Sequence, residues 1–364
     1  MRPTYLEVNL PCLKQNLENI RAHVAPAKVM AVLKANAYGH GVDGVAPIIA
    51  PYADYIGVAI VEEGIHLREL GINKPILVMG GTLPEQVSLF VQYNLILAAS
   101  SFELLDAAEQ AAQAAKKKLK AHLKIDTGME RTGVHEYEAE TLIEKSLTCS
   151  HLDIEGIFTH FANSESNDLT HAKLQLERFQ EVLYVYEKRS IPHPRIRHAA
   201  NSGAILQIPE SYFDMVRPGV LFYGVYPERN VKKTVDVKPA LTWRSQIVYS
   251  KITQPGRPVS YGSLWQSNVP TRIVTIPCGY ADGYFRRMTN RAQVIISGKK
   301  YPQVGRICMD QFMVNVGNDD TKVGDEVILL GDGITAEDFA DWAGTNEYEV
   351  MTNISTRVPR VFIK

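Results

Sequence analysis

Lys34 ends a short apolar run, in Met30-Ala-Val-Leu-Lys-Ala-Asn-Ala-Tyr-Gly-His-Gly41. Val29 to Leu33 has the length and the stop signals of a buried strand. A lysine at the carboxyl end of such a strand can aim its amine into a site. Partial desolvation there disfavours the charged form, so the amine can act as a nucleophile or a base. The other reading is a lysine that merely ends a strand at the surface. Further along stand Lys124 and Arg131 around Asp126-Thr-Gly-Met-Glu, then His160, Asn201-Ser202-Gly203 and Arg217-Pro-Gly219. These residue types suit an anionic ligand held beside a reactive amine.

Those residues need elements to position them. After Val29–Leu33, strand-like runs recur at Tyr55–Ile60, Ile76–Met79, Leu95–Ala99, Ala121–Ile125, Ile154–Thr159, Arg195–Ala199 and Met215–Arg217. Amphipathic, helix-like stretches lie between them, at Glu62–Leu70, Pro84–Tyr93, Ser101–Lys118, His171–Lys188 and Ser202–Leu206. Eight strands alternating with helices predict parallel strands joined by crossovers, closed as a (β/α)8 barrel. An open doubly wound sheet is the competitor, but no Gly-x-Gly-x-x-Gly follows the first strand.

From about Val235 the texture changes. Thr242–Ile252, Arg272–Pro277, Ala292–Ile296, Tyr301–Val304, Gln311–Val316 and Glu326–Leu330 are strand-like and separated by turn residues. They predict a mainly antiparallel β domain with one helix, Ala336–Ala343, capped by Thr335. Tyr5–Leu10 alternates like a strand that pairs with it. The expected domains are a barrel over 11–234, and a β domain over 1–10 and 235–364.

Composition narrows the partners. The chain has 364 residues, 45% hydrophobic and 22% charged, enough for two cores, since single cores stop growing near ~250–300 residues. A net charge of -1 gives no electrostatic reason to bind nucleic acid or an anionic membrane. No run has the apolar length of a membrane span, and Met1-Arg-Pro-Thr does not open a signal peptide, so a cytoplasmic protein is expected. Cys12, Cys149, Cys278 and Cys308 are widely spaced and the histidines lack ligand spacing. Free thiols in a reducing compartment and no catalytic metal are the expectation.

In a barrel of this kind the chemistry lies at the carboxyl ends of the strands. Strand one supplies Lys34 and then Tyr38. Strand five supplies Lys124 and Arg131, strand six His160, strand seven Asn201 and Ser202, and strand eight Arg217 and Gly219. Ser202 opens a helix, and Gly203 and Gly219 permit close backbone approach, so a phosphate can sit on main-chain N–H groups there. Each residue alone has an ordinary reading as a cap, a loop glycine or a surface cation. Their joint placement on one rim is harder to reach by chance.

Along nearly its whole length the chain resembles the alanine racemases, pyridoxal-phosphate enzymes of fold type III. In the barrel the likeness rests on Val32-Leu-Lys-Ala-Asn-Ala-Tyr-Gly-His-Gly41, His122-Leu-Lys-Ile-Asp-Thr-Gly-Met129, Thr159-His-Phe161, Ala200-Asn-Ser202 and Val216-Arg-Pro-Gly219. Beyond it stand Val259-Ser-Tyr-Gly262, Gly279-Tyr-Ala-Asp-Gly283, Gly305-Arg-Ile-Cys-Met-Asp-Gln311 and Arg357-Val-Pro-Arg360.

The resemblance implies interconversion of L- and D-alanine by a homodimer, supplying D-alanine for peptidoglycan. Lys34 would carry pyridoxal phosphate as a Schiff base and act as base on one face of Cα. Tyr261 would reach in from the other subunit as the second base. A tyrosine, with a reference pKa of ~10, needs cationic neighbours for that role, and His160 and Arg217 are the candidates. Arg217 would face the pyridine nitrogen and, keeping its own proton, leave that nitrogen unprotonated. Tyr38, Ser202, Gly219 and Val220 would hold the phosphate, with His160 and Asn201 beside the ring. Arg131 and Met309 would take the substrate carboxylate. Lys124 matches a lysine carbamylated in many relatives, which would orient Arg131. Asp310 sits beside Met309, and Tyr280 resembles an entrance-gate residue.

Two positions depart from the family pattern. Glu130 stands where relatives carry glycine, and a positive φ there would cost roughly 1 kcal/mol or more. Thr356 stands where several relatives carry a tyrosine that touches the phosphate and crowds the substrate, which opens room for serine. A serine or broad-specificity racemase is thus the nearest alternative. A pyridoxal-phosphate carrier without turnover is another, against which the β domain and Tyr261 argue. Decarboxylation would want an acidic partner at the pyridine nitrogen, and Arg217 counts against it.

Overall fold

A computed structural model describes residues 2–364, and the chain divides into two compact units. The larger comprises Leu13–Ala37 and Val42–Lys238; the other comprises the N-terminal residues through Cys12, Tyr38–Gly41 and Pro239–Lys364. The expected boundaries are thus offset by a few residues. The unforeseen feature is the short segment Tyr38–Gly41, which groups with the β unit.

The larger unit is the barrel. Its eight parallel strands are Lys28–Val32, Tyr55–Val58, Ile76–Val78, Ile96–Ala99, Leu119–Asp126, Leu152–Phe158, Ile196–His198 and Met215–Val216. They pair in sequence order, and the last pairs back onto the first. Between strands seven and eight the backbone bonds Asp214 N–H to Arg197 O (3.0 Å) and Arg217 N–H to Ala200 O (2.9 Å) complete the ring. Strands two, three and four are buried at every residue, as expected of parallel strands covered on both faces. Met30, Tyr55, Leu77, Ile96, Ala98, Phe158, Ile196 and Met215 pack together as one buried apolar cluster. Two histidines, His122 and His198, are also fully buried. Gly156 makes room for the first: a Cβ there would lie 2.5 Å from His122 Nδ1.

The smaller unit is a nine-stranded sheet, antiparallel except where Tyr5–Asn9 runs parallel to Arg360–Ile363. Tyr5–Asn9 also pairs antiparallel with Leu241–Gln246, so the N-terminal strand does join the β domain. Trp243, Tyr284, Phe312 and Phe339 stack at its centre. Thr335 caps Ala336–Ala343 by accepting from Asp338 N–H.

Some expectations need correction. Thr242–Ile252 is not one strand but two, Leu241–Gln246 and Tyr249–Thr253. The chain changes neighbours at Ile247 and Val248, whose N–H groups bond Asp325 O and Thr275 O. A second helix, Glu347–Thr352, and a last strand, Arg360–Ile363, were not foreseen. Nor were the helices Leu10–Val24, Val42–Ile49 and Ala139–Leu147.

Candidate active site

Lys34 lies two residues past the end of strand one and begins a turn of the wrong hand. Ala35, Asn36, Ala37 and Tyr38 have φ of 53°, 55°, 53° and 50°. Left-handed backbone costs L-residues about 1–2 kcal/mol each, so four in a row persist only because the surroundings hold them. Glu63 does part of this: its Oε1 accepts from Ala35 N–H at 2.6 Å and its Oε2 from Ala59 N–H at 2.8 Å, clamping the ends of strands one and two. Asn36 Oδ1 accepts from Val42 N–H at 2.8 Å and closes the turn. Burial and then Arg131 lower the proton affinity of the Lys34 amine, against a small opposing pull from Glu63. The surface reading of Lys34 therefore fails.

The rest of the barrel rim is positive and buried. Arg217 is 4% exposed and forms no ion pair with a carboxylate among the described residues. Its guanidinium donates to Thr159 O at 2.8 Å, Ala199 O at 2.9 Å and His198 Nδ1 at 2.8 Å. Burial pulls its pKa down to about 9, which still leaves it charged at neutral pH. His198 must accept from Arg217, so its Nε2–H donates to His122 Nδ1 at 2.9 Å. This relay runs from the rim into the barrel interior. Sequence reading missed both histidines; the available signal was a polar residue inside each of two apolar strand runs.

His160 is also held neutral. Burial first, then the cations Arg217, Lys124, Arg131 and Lys34, keep its pKa well below the usual imidazole value. That corrects the expectation of His160 as a cationic neighbour for a tyrosine base. Among the two candidates only Arg217 carries charge.

Lys124 is buried, with Nζ donating to Ile125 O at 3.0 Å. Burial, then Arg217 and Arg131, bring its pKa down to about 7, with Asp126 pulling weakly the other way. At neutral pH a large fraction of this amine is unprotonated. Asp126 organises the loop beyond it, its carboxylate accepting from the N–H groups of Gly128 (2.9 Å), Met129 (2.8 Å), Glu130 (3.2 Å) and Arg131 (3.1 Å). Burial alone would raise the Asp126 pKa, but these four donors outweigh it and the net shift is downward. Glu130 has φ 52°, so the substitution for glycine falls on a left-handed residue. Its carboxylate reaches His135 Nε2 at 3.1 Å.

At strand seven, Asn201 caps the helix Ser202–Gln207 and accepts from Ser164 Oγ at 2.6 Å. Ser202 Oγ accepts from Gly219 N–H at 2.9 Å and Leu221 N–H at 3.3 Å. The Ser202 hydroxyl thus gathers the main-chain N–H groups of Gly219 and Leu221, with Val220 between them in the chain. With Arg217 buried beside no acid, and two amines nearby, this half of the site fits a group that is anionic and reacts with an amine.

The β unit holds the remaining candidates. Tyr261 sits in a loop where Ser260, Gly262 and Ser263 all have positive φ (66°, 74° and 53°). Ser260 Oγ donates to Arg306 O at 2.7 Å and touches Cys308 Sγ at 3.4 Å. Tyr280 N–H bonds Cys308 O, and Ala281 N–H bonds Met309 O, both at 3.0 Å. Tyr261, Tyr280 and Met309 therefore lie on three loops that meet at Cys308. Asp310 accepts from Arg357 at 2.8 Å, which ties in the loop bearing Thr356. Tyr38 is buried, and burial raises its pKa. Tyr261 is 72% exposed, with Tyr280, Met309 and Leu264 also exposed.

An eight-stranded parallel barrel with a lysine of lowered proton affinity just after strand one, followed in the chain by an antiparallel β unit, defines the class as a two-unit barrel enzyme. The family models described as the N-terminal and C-terminal domains of alanine racemase match residues 8–227 and 240–362. The chain belongs to the alanine racemase family. It is 45% identical to the alanine racemase of Carboxydothermus hydrogenoformans, over the full length of both chains. Its structure superposes on that of the Clostridium difficile alanine racemase with a TM-score of 0.94 and 37% identity, covering 100% of this chain and 96% of that one. The alanine racemase of Bartonella henselae, solved with covalently bound pyridoxal phosphate, aligns with a TM-score of 0.91 and 30% identity over the whole of both chains.

Proposed function

We propose that this enzyme racemises alanine with two bases and pyridoxal phosphate, Lys34 serving one face of Cα and Tyr261 the other. The carrying observation is the buried, predominantly cationic rim around Lys34, whose amine has a lowered proton affinity despite the carboxylate of Glu63. Pyridoxal phosphate, when bound, supplies the electron sink that makes an amino acid's Cα proton removable. Lys34 anchors it and handles the proton of D-alanine. Ser202, Gly219, Val220, Tyr38 and Thr356 hold its phosphate, while His160 and Asn201 support the ring. Arg217 offers the ring nitrogen a charged donor already braced by His198 and two carbonyls. Because that guanidinium keeps its proton, it would leave the ring nitrogen unprotonated and so temper the electron sink that the cofactor would supply. Arg131 and the Met309 main chain bind the substrate carboxylate, with Asp310 and Tyr280 shaping the approach.

The exposure of Tyr261 supports a homodimer. Tyr261 is largely exposed, and the exposed Tyr280, Met309 and Leu264 of the same unit give it the setting of a face suited to a second copy. The expected setting is the cytoplasm, with D-alanine going to peptidoglycan. No helix among the described residues is long and apolar enough to cross a membrane.

Incubating the purified protein with pyridoxal phosphate and L-alanine in D₂O tests the reading. D-alanine deuterated at Cα is expected; carbon dioxide release or no reaction refutes it. A second arm uses L-serine, because Thr356 leaves more room than tyrosine. Serine should turn over with a lower kcat/KM than alanine, and Thr356→Tyr should cut the serine-to-alanine ratio by about tenfold, the scale of one small group in a pocket. An unchanged ratio sinks the serine idea.

Lys124 is proposed to be carbamylated. An unprotonated amine attacks carbon dioxide, and the anion formed would compensate the charge of Arg217 and Arg131. Below pH about 7 the amine is increasingly protonated, so the modification should be lost on acidification. After exchange with ¹³C-bicarbonate, a carbamate carbon signal is expected that is absent in Lys124→Ala. No such signal in the wild type at pH 8 rejects the proposal.

A further inference from the structure

Asp282 is fully buried in the β unit and is paired with Arg2. The Arg2 guanidinium grips it with two bonds, Nη1 to Oδ1 at 2.7 Å and Nη2 to Oδ2 at 2.6 Å. The same guanidinium donates to Arg357 O at 3.1 Å and Pro277 O at 3.2 Å. Asp282 Oδ2 also accepts from Gly279 N–H at 3.1 Å, and its backbone oxygen accepts from Ser355 N–H at 3.1 Å. Arg357 lies 3.5 Å from Asp282 and also donates to Asp310.

Three loops converge on this one ion pair. Gly279–Asp282 carries Tyr280, and its N–H groups bond Cys308 O and Met309 O. Ser355–Arg357 carries Thr356. The Met309–Asp310 loop is held by Arg357 from one side and by the Gly279 loop from the other. The packing leaves no slack: a Cβ on Gly279 would lie 2.2 Å from Met309 O. Two parallel charge-assisted bonds fix orientation as well as distance, and a buried carboxylate that loses one partner costs more than the bond itself.

We propose that Asp282, clamped by Arg2, is a positioning residue that sets the mutual placement of Tyr280, Met309 and Thr356, and hence how the substrate carboxylate is received. The proposal rests on the reading of those three residues as the substrate-side wall. The Tyr261 loop touches this cluster only through Ser260 and Cys308 and is braced independently by Arg306 O, so the clamp acts on binding more than on proton transfer.

The test uses the cofactor-loaded full-length enzyme and two readouts, racemisation kinetics and inhibition by propanoate as a small carboxylate probe. In Arg2→Met, KM for alanine and KI for propanoate should rise together by about tenfold, the scale of losing a charge-assisted hydrogen bond. Its kcat should stay within about threefold. Arg2→Lys, which keeps the charge but not the fork, should recover part of the loss. Asp282→Asn should shift KM and KI in the same direction, and Arg2→Met alone decides if that variant does not fold. Unchanged KM and KI in Arg2→Met overturn the proposal, as does a fall in kcat at constant KM. A wild type that does not racemise alanine fails the family reading instead, before any variant is made.

Discussion

Tyr261→Phe is expected to lower racemisation by about 10²–10⁴-fold, the range for removing one positioned acid–base group. Mirror-image substrates have equal free energies, so the loss must appear in both directions of turnover. The two bases separate in a different measurement. With Lys34 intact, D-alanine should still exchange its Cα proton for deuterium, whereas L-alanine should not. The visible absorbance of the lysine-bound cofactor should be unchanged, because the substitution leaves the anchoring amine of Lys34 in place. Equal exchange of both enantiomers in the variant would show that Tyr261 is not the base for the L face.

Lys34→Ala should do more damage, beyond the ~10⁴-fold that one acid–base group contributes, since anchor and base disappear together. Racemisation, proton exchange of D-alanine and the covalent cofactor absorbance should all be lost. The rim left behind, with Arg217 and Lys124 buried, should still bind the cofactor without a covalent bond. An added small primary amine that enters this space should restore part of the D-alanine exchange. Retention of the covalent absorbance in Lys34→Ala would move the anchor to another lysine, with Lys124 the first to examine.

Much of the barrel was legible because parallel strands are apolar on both faces. Runs such as Tyr55–Ile60 and Ile76–Met79 predict strands without help from periodicity, and the structure places strands at Tyr55–Val58 and Ile76–Val78. The missed helices are those whose pattern is broken: Val42–Ile49 contains Gly44 and Pro47, and Leu10–Val24 begins with Pro11 and follows the first strand without a linker. The convergence of Lys34, Lys124, Arg131, His160 and Arg217 was legible from strand order alone, and these groups act on one another in the structure.

The environment of those groups was not legible. Neutral His160 depends on burial among four cations contributed by three strands and their loops, which no local pattern encodes. The pair of Arg2 and Asp282 joins residues at opposite ends of the chain, and each alone looks like an ordinary charge. The Asp126 nest was readable in hindsight, since Asp-Thr-Gly is a turn signal. The roles of Tyr261, Tyr280 and Met309 came from likeness to the family and not from spacing.

The left-handed turn after Lys34 has a consequence for variation. Ala35 is solvent-exposed, so a tolerance map based on burial would score it as free to change. Its φ of 53° says otherwise: glycine and asparagine fit that sign of backbone, and valine or isoleucine do not. A selection experiment across this segment would mark it as sharply as a catalytic position. What such a mark would record is chain handedness, the means by which a buried strand delivers its last amine to the rim.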